Sequence, residues 1–178
     1  GGAALLRLAD SRFPDIKVAA QEGLGRLSVA IGDTRTATSF AVMARSDSRS
    51  RWEDYHSRWA GLTICKALHR ERRYEELFTT LMEEQENARQ AGDHPLLASL
   101  LLVRAEACAE RGQREEASRH LFEAARLGIS GSPELQGHFQ MSAGRILGRD
   151  HAGLGAVLTQ RALRRWRSQR NVLADRKS

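Results

Sequence analysis

The stretch from Leu101 to Gly128, LLVRAEACAERGQREEASRHLFEAARLG, decides the fold of this chain. Apolar residues recur in it at every third or fourth position on both sides of the turn Arg111-Gly112-Gln113. This spacing is typical of amphipathic helices, because about 3.6 residues make one helical turn. The stretch therefore predicts two short helices joined by a tight turn.

Two earlier parts of the chain repeat this pattern at intervals of 40 residues. Ala37, Leu77 and Ala117 occupy the same place early in the second helix of each pair. Twelve residues before them come the small residues of the first helices, which are Gly25, Cys65 and Ala105. A small residue at this place lets the second helix pack close against the first. Because one helix pair cannot bury its own apolar face, a fixed period of about 20 to 50 residues indicates stacked pairs.

The composition also favours an all-α fold. Aromatic residues make up only 6% of the chain, and β-branched residues are sparse, whereas sheets are enriched in both. We expect one helical domain over residues 1–178, with a frayed tail at 173–178. Four repeats are predicted, at about 14–50, 51–92, 93–131 and 132–172. The chain begins with Gly1-Gly2 and no methionine, so we interpret it as a fragment of a larger protein.

Proline and aspartate mark the expected helix starts. Pro14, Pro95 and Pro133 each fall in a first helical turn, where the missing N–H costs nothing. Asp33 (or Thr34) and Asp93 are placed to cap the helices that follow them. The predicted apolar stripes include Ala20, Leu24, Leu27 and Ile31 in the helix after Pro14, and Ala117, Leu121, Phe122, Ala124 and Ala125 in the helix after Gly112.

The two cysteines, Cys65 and Cys108, lie on apolar helical faces and are predicted to be buried, reduced thiols. The sequence contains neither a signal peptide nor an apolar run of about 18 residues that would span a bilayer. We therefore expect a cytoplasmic protein that has no membrane partner.

The repeat resembles the tetratricopeptide repeat. Leu24-Gly25 followed by Gly32 and Ala37 matches the pattern of that family, as does Ala105 followed by Gly112, Ala117 and Ala124. The second repeat departs from the pattern, with Arg72 in place of the turn glycine and Glu84 in place of the late alanine. The period of 40 residues exceeds the value of about 34 that is typical of the family. It is closer to the longer variants of bacterial regulators such as the MalT-like sensor domains.

The resemblance implies a right-handed superhelix of helix hairpins that binds partners on the concave face of its first helices. The residues at the corresponding positions are Glu22, Arg26, Trp59, Leu62, Lys66, His69, Arg70, Leu102, Glu106 and Glu110. A solvated helix face without a dedicated ligand is the alternative interpretation. The chain lacks the Lys/Asn/Arg clamp by which some family members hold a peptide carboxyl terminus.

The net charge of +6 is concentrated near the carboxyl end. Residues 145–178 hold nine basic residues against two acids, whereas residues 1–144 hold 19 basic and 20 acidic residues. A basic helix in this segment would carry Arg161, Arg164, Arg165, Arg167 and Arg170. It is interpreted either as a solvated cap of the repeat array or as a contact with nucleic acid, whose binding would weaken with salt.

No motif indicates an enzyme. The six histidines show no metal-ligand spacing, no cysteine pair is spaced for zinc, and no phosphate-binding loop occurs. We therefore predict no catalytic residues, no metal and no cofactor. A small-ligand pocket near Trp59 and Cys65 is a further interpretation that rests on composition alone.

The expected function is a protein-interaction or regulatory segment of a bacterial signalling or transcription protein. It would bind a peptide or a helix in the concave groove, or associate with a second copy of itself. The candidate contacts for self-association are Trp52, Tyr55 and Trp166. The alternative function is that of a nucleic-acid-associated protein that uses the basic helix.

Overall fold

The computed structural model describes residues 2–48, 51–127 and 133–148. Within these residues the structure is all-α, as predicted, and contains no strand. The helices are α1 (Gly2–Ala9), α2 (Pro14–Ile31), α3 (Thr34–Asp47), α4 (Arg51–Arg70), α5 (Tyr74–Gln90), α6 (His94–Glu110), α7 (Arg114–Arg126) and α8 (Pro133–Leu147).

The predicted starts and caps of the helices are confirmed. Pro14 and Pro133 are the first residues of α2 and α8, and Pro95 is the second residue of α6. Asp33 Oδ1 accepts a hydrogen bond from the backbone N–H of Thr36 at 3.0 Å. Asp93 Oδ1 accepts one from the backbone N–H of Leu96 at 3.1 Å. Each aspartate thus satisfies a donor that the first helical turn leaves unpaired.

The turns show the 40-residue period in the backbone itself. Gly32, Arg72 and Gly112 all adopt a left-handed conformation, with φ of 90°, 58° and 80°. The residue after each of them donates its N–H to a carbonyl five residues earlier, in the pairs Asp33–Ser28, Arg73–Leu68 and Gln113–Cys108. This hydrogen bond is typical of the carboxyl end of a helix, where the chain leaves the helical conformation. Arg72 keeps the turn although the conformation costs a residue with a Cβ about 1 to 2 kcal/mol.

Two compact units make up the chain, residues 1–96 and residues 97–178. In the first unit, α1 packs against α2, α2 and α3 pack against each other and against α4, and α4 packs against α5. In the second unit, α7 packs against α8.

A small residue in mid-helix allows the close approach of α2 and α3. A Cβ atom added at Gly25 would lie 3.3 Å from the carbonyl oxygen of Ala37 and 3.2 Å from Cγ2 of Thr63. Both contacts are tighter than ordinary van der Waals distances, so glycine at this position sets how near the helices lie. The three residues at this place, Gly25, Cys65 and Ala105, are all buried.

Parts of the predicted apolar stripes are wrong. Leu27 and Ile31 are exposed by 42% and 74%, and Phe122 by 60%. The buried face of α2 is instead made of Val18, Ala20, Gln21, Glu22, Leu24, Gly25, Ser28 and Val29. Apolar periodicity misses this face because five of its eight residues are alanine, glycine or polar.

Candidate functional site

Helices α2 and α4 bring several predicted partner-binding residues to one place in the first compact unit. Glu22 and Arg26 lie four residues apart on α2, which places them on one side of that helix. Helix α4 packs against α2 and adds Lys66, whose charge acts on Glu22, and Trp59, whose ring lies beside that of Tyr55. We call the set Glu22, Arg26, Tyr55, His56, Trp59 and Lys66 the α2–α4 cluster.

The buried carboxylate of Glu22 is the centre of the α2–α4 cluster. Its Oε1 lies 3.7 Å from Arg26 Nε, and its Oε2 lies 3.7 Å from His56 Nδ1. Burial raises the pKa of Glu22, and the charges of Arg26, His56 and Lys66 oppose that rise. No motif connects a histidine on α4 to a glutamate 34 residues earlier, so His56 could not be predicted from the sequence.

The side chains of Leu62 and Leu102 do not line a groove, contrary to the prediction. Residues 22, 62 and 102 occupy equivalent places in α2, α4 and α6. Glu22 is 5% exposed, Leu62 4% and Leu102 0%. The place is therefore a core position in the first three repeats, and Glu22 is a charged residue where the second and third have leucine. A bound partner would contact the residues around Glu22 and not the Glu22 side chain itself.

Aromatic rings form the accessible edge of the α2–α4 cluster. The rings of Tyr55 and His56 meet edge to face, with centroids 5.3 Å apart. The Tyr55 and Trp59 centroids lie 6.0 Å apart. Tyr55 is 43% exposed, and partial burial with Asp93 and Glu22 nearby raises the pKa of its hydroxyl. The indole N–H of Trp59 is buried and has no hydrogen-bond acceptor among the described residues.

The remaining predicted residues of α4 continue this face toward the turns. His69 is half-buried and Arg70 is exposed. Arg70 Nη1 lies 3.5 Å from the position that a Cβ atom would take on Gly32, so the guanidinium reaches the turn between α2 and α3. Arg26, Lys66 and Arg70 together make this face cationic.

Glu106 and Glu110 lie in the second compact unit, beside a cavity of about 230 Å³. Glu106 accepts a hydrogen bond from Ser142 Oγ at 2.7 Å, and Arg145 Nη1 lies 3.7 Å from the same carboxylate oxygen. The cavity is lined by Glu106, Ala109, Glu110, Arg114, Arg145 and Ile146. No pattern in the sequence connects Ser142, Arg114 or Arg145 with these two acids.

The basic helix lies outside the described residues. This applies to Arg161, Arg164, Arg165, Arg167 and Arg170, and also to Trp166 and the side chain of Trp52. The interpretation of this segment as a cap or a nucleic-acid contact stays a prediction.

Both cysteines are buried free thiols, as predicted. Burial is the main reason why the pKa of each thiol is raised, which disfavours the nucleophilic thiolate. The described part of the chain holds no group of three or more His, Cys, Asp or Glu side chains that could bind a metal ion. It also holds no helix that could cross a membrane.

Comparison with known protein families, with curated protein sequences and with solved structures gives no match to this chain.

We expect the Glu22→Gln variant to gain thermal stability relative to the wild type as the pH rises from about 4 to 8. The raised pKa of Glu22 means that the folded chain holds a proton which the unfolded chain releases above the ordinary carboxyl value of 4.5. Wild-type stability therefore falls as the pH rises through and beyond that value. Glutamine has no such dependence.

The measurement is the melting temperature of both proteins across this pH range. Glu115→Gln on α7 is the matched control because its side chain is exposed, and it should show no comparable gain. If the melting temperature of Glu22→Gln instead falls relative to that of the wild type as the pH rises, the result would contradict the burial of a carboxylate at this position.

Proposed function

We propose that this chain is a partner-binding segment built from tetratricopeptide-like repeats of 40 residues, four in number, at about 14–50, 51–92, 93–131 and 132–172. Support comes from the turns at Gly32, Arg72 and Gly112, which recur at this interval with the same hydrogen bonds. The buried small residues of the first helices, which are Gly25, Cys65 and Ala105, also support the proposal. The segment would belong to a larger bacterial signalling or transcription protein.

The partner would bind across the first helices, on the face that carries the α2–α4 cluster. One observation carries this proposal: α4 carries two partly accessible aromatic rings, and Arg26 and Lys66 lie around Glu22 of the same cluster. Aromatic and arginine side chains are the groups that most often dominate the free energy of binding at interfaces. The cationic charge selects an acidic segment through complementarity. We therefore expect a helix or extended peptide with an apolar anchor flanked by Asp or Glu.

A random peptide library displayed on phage tests this proposal. Selected peptides should be rich in Asp and Glu around one large apolar residue. Trp59→Ala should weaken binding of a selected peptide by about tenfold or more, because an interface anchor contributes at least about 1.4 kcal/mol. Arg26→Ala should weaken it less and reduce its salt dependence.

Met82→Ala is the matched control for the peptide experiment, since Met82 is 62% exposed and lies on the second helix of its pair. It should leave the affinity unchanged. The proposal fails if no peptide is enriched, or if the enriched peptides bind Trp59→Ala and the wild type equally well.

Self-association is a second candidate, favoured by exposed apolar side chains near the amino end of the first compact unit. Six large apolar residues of α1, α2 and the loop between them are exposed by 39% to 74%, namely Leu6, Leu8, Phe13, Ile16, Leu27 and Ile31. Contiguous exposed apolar surface commonly marks a contact with another protein. The residues differ from the contacts expected from the sequence, of which Tyr55 alone has a described side chain.

Sedimentation over an approximately hundredfold concentration range should show a monomer–dimer equilibrium. The double variant Leu27→Gln/Ile31→Gln should weaken the dimer by about tenfold or more, because each change removes roughly 1 to 2 kcal/mol of apolar burial. Met82→Gln should have no effect. A wild type that stays monomeric over the whole range would contradict this candidate.

A further inference from the structure

A polar cavity of about 400 Å³ lies in the first compact unit, apart from the α2–α4 cluster. It is formed by the amino-terminal half of α4 and the carboxyl-terminal half of α5, with one residue from α3. The lining residues are Arg45, Asp54, Ser57, Arg58, Glu84, Asn87, Gln90 and Ala91. Seven of these eight side chains are polar, and the sequence analysis assigned none of them to a site. The volume is within the range of about 300 to 1,000 Å³ that small-molecule sites occupy.

Two of the four charged residues in this cavity neutralise each other. Arg45 Nη1 donates a hydrogen bond to Glu84 Oε1 at 2.7 Å, and the Glu84 side chain is only 3% exposed. Burial raises the pKa of Glu84, and Arg45 opposes that rise. The carboxylate fits because residue 61, on the adjacent α4, is a glycine whose added Cβ would overlap it.

The other two charged residues, Asp54 and Arg58, are complementary but not joined. They lie four residues apart on α4 and line the same cavity, a spacing at which an ion pair commonly forms. In the described part of the chain no ion pair joins them. Arg58 Nε is buried with no hydrogen-bond acceptor, and Asp54 accepts one long hydrogen bond, from Ser48 Oγ at 3.4 Å. The cavity therefore presents, side by side, a guanidinium that can bind an anion and a carboxylate that can bind a cation.

We propose that this cavity binds a small zwitterion of the α-amino acid class. Arg58 would bind the carboxylate and Asp54 the ammonium group, with Ser57, Asn87 and Gln90 near the side chain. A guanidinium and a carboxylate form strong charge-assisted hydrogen bonds, and Asp54, which lines the same cavity, supplies the opposite charge for an ammonium group. A simple anion fits less well, because the carboxyl end of α5 (Asn87–Ala91) carries partial negative charge that favours a cation. The site is independent of the proposed partner-binding face.

Thermal denaturation of the full chain with each of the twenty L-amino acids at about 10 mM tests the proposal. A ligand with a Kd of about 1 mM should raise Tm by about 3 °C or more. For the amino acid with the largest effect, isothermal titration is then repeated with its N-acetyl derivative, which lacks the ammonium group, and with its amide, which lacks the carboxylate. Each derivative should bind at least about tenfold more weakly, a loss typical of one charged hydrogen-bonding partner.

Arg58→Gln and Asp54→Asn should each weaken binding of the unmodified amino acid by a similar factor. Arg35→Gln is the control, because Arg35 is exposed on α3 and does not line the cavity. The proposal is overturned if none of the twenty amino acids changes Tm, or if the N-acetyl derivative binds as tightly as the amino acid. It is also overturned if both cavity variants, folded by circular dichroism, bind like the wild type.

Discussion

Gly61→Ala should lower the free energy of unfolding by about 2 to 3 kcal/mol. An interior helical glycine replaced by alanine normally stabilises a protein by about 1 kcal/mol, so the sign is reversed here. The reason is that a Cβ atom on residue 61 would overlap the carboxylate of Glu84. That carboxylate is buried and bonded to Arg45, so moving it aside disturbs its contact with this cationic partner.

Glu84→Ala in the same chain should rescue much of this loss. Residues 44 and 124, which are equivalent to residue 84, are both buried alanines, so the double variant gives the second repeat the same alanine as the first and third. Chemical denaturation of the two single variants and the double variant should show a coupling free energy of at least about 1 kcal/mol.

Gly23→Ala on α2 is the matched control for the glycine substitution. Its added Cβ would lie 3.6 Å from the methyl carbons of Leu5, an ordinary contact, so we expect a gain of about 0.5 to 1 kcal/mol. If Gly61→Ala stabilises the chain as Gly23→Ala does, residues 61 and 84 do not meet as the structure has them.

Leu81→Ala should cost about 3 kcal/mol, within the range of about 2 to 5 kcal/mol found for buried leucines. Leu81 is fully buried on the inner side of α5. Its replacement by alanine therefore leaves an interior cavity that is not in contact with water. Met82→Ala, one residue further on, should cost less than about 0.5 kcal/mol, because Met82 is 62% exposed.

Chemical denaturation of both variants, analysed with a common m-value, gives the comparison. Equal losses at the two positions would mean that α5 presents a different side to its neighbours. Comparing Leu81 with Met82 tests only which side of α5 faces inward, because both side chains are unbranched at Cβ and similar in volume.

The helices of this chain follow from short-range features of its sequence. Pro14, Asp33, Asp93 and Pro133 mark helix starts because each acts on backbone groups within a few residues of itself. The 40-residue period was also visible, since equivalent small residues recur at it. At Arg72 the sequence matched the repeat pattern poorly, because the turn glycine is missing. The turn nevertheless has the same geometry as those at Gly32 and Gly112. The hydrogen bonds at the helix end offset the strain of the left-handed conformation.

The candidate sites depend on contacts that no local pattern contains. Glu22 meets His56 and Arg45 meets Glu84 across 34 and 39 residues of chain, and the sequence indicated neither pair. Residues 22 and 62 were both assigned to an open groove, whereas the packing of α2 against α4 buries them.

Local sequence therefore specified where each helix begins and ends, because caps and turns are made by neighbours in the chain. Only tertiary packing decided which side of each helix faces inward and which charges meet. A helix between two others has more than one covered side, so periodicity alone does not distinguish an exposed residue such as Arg26 from a core residue such as Glu22.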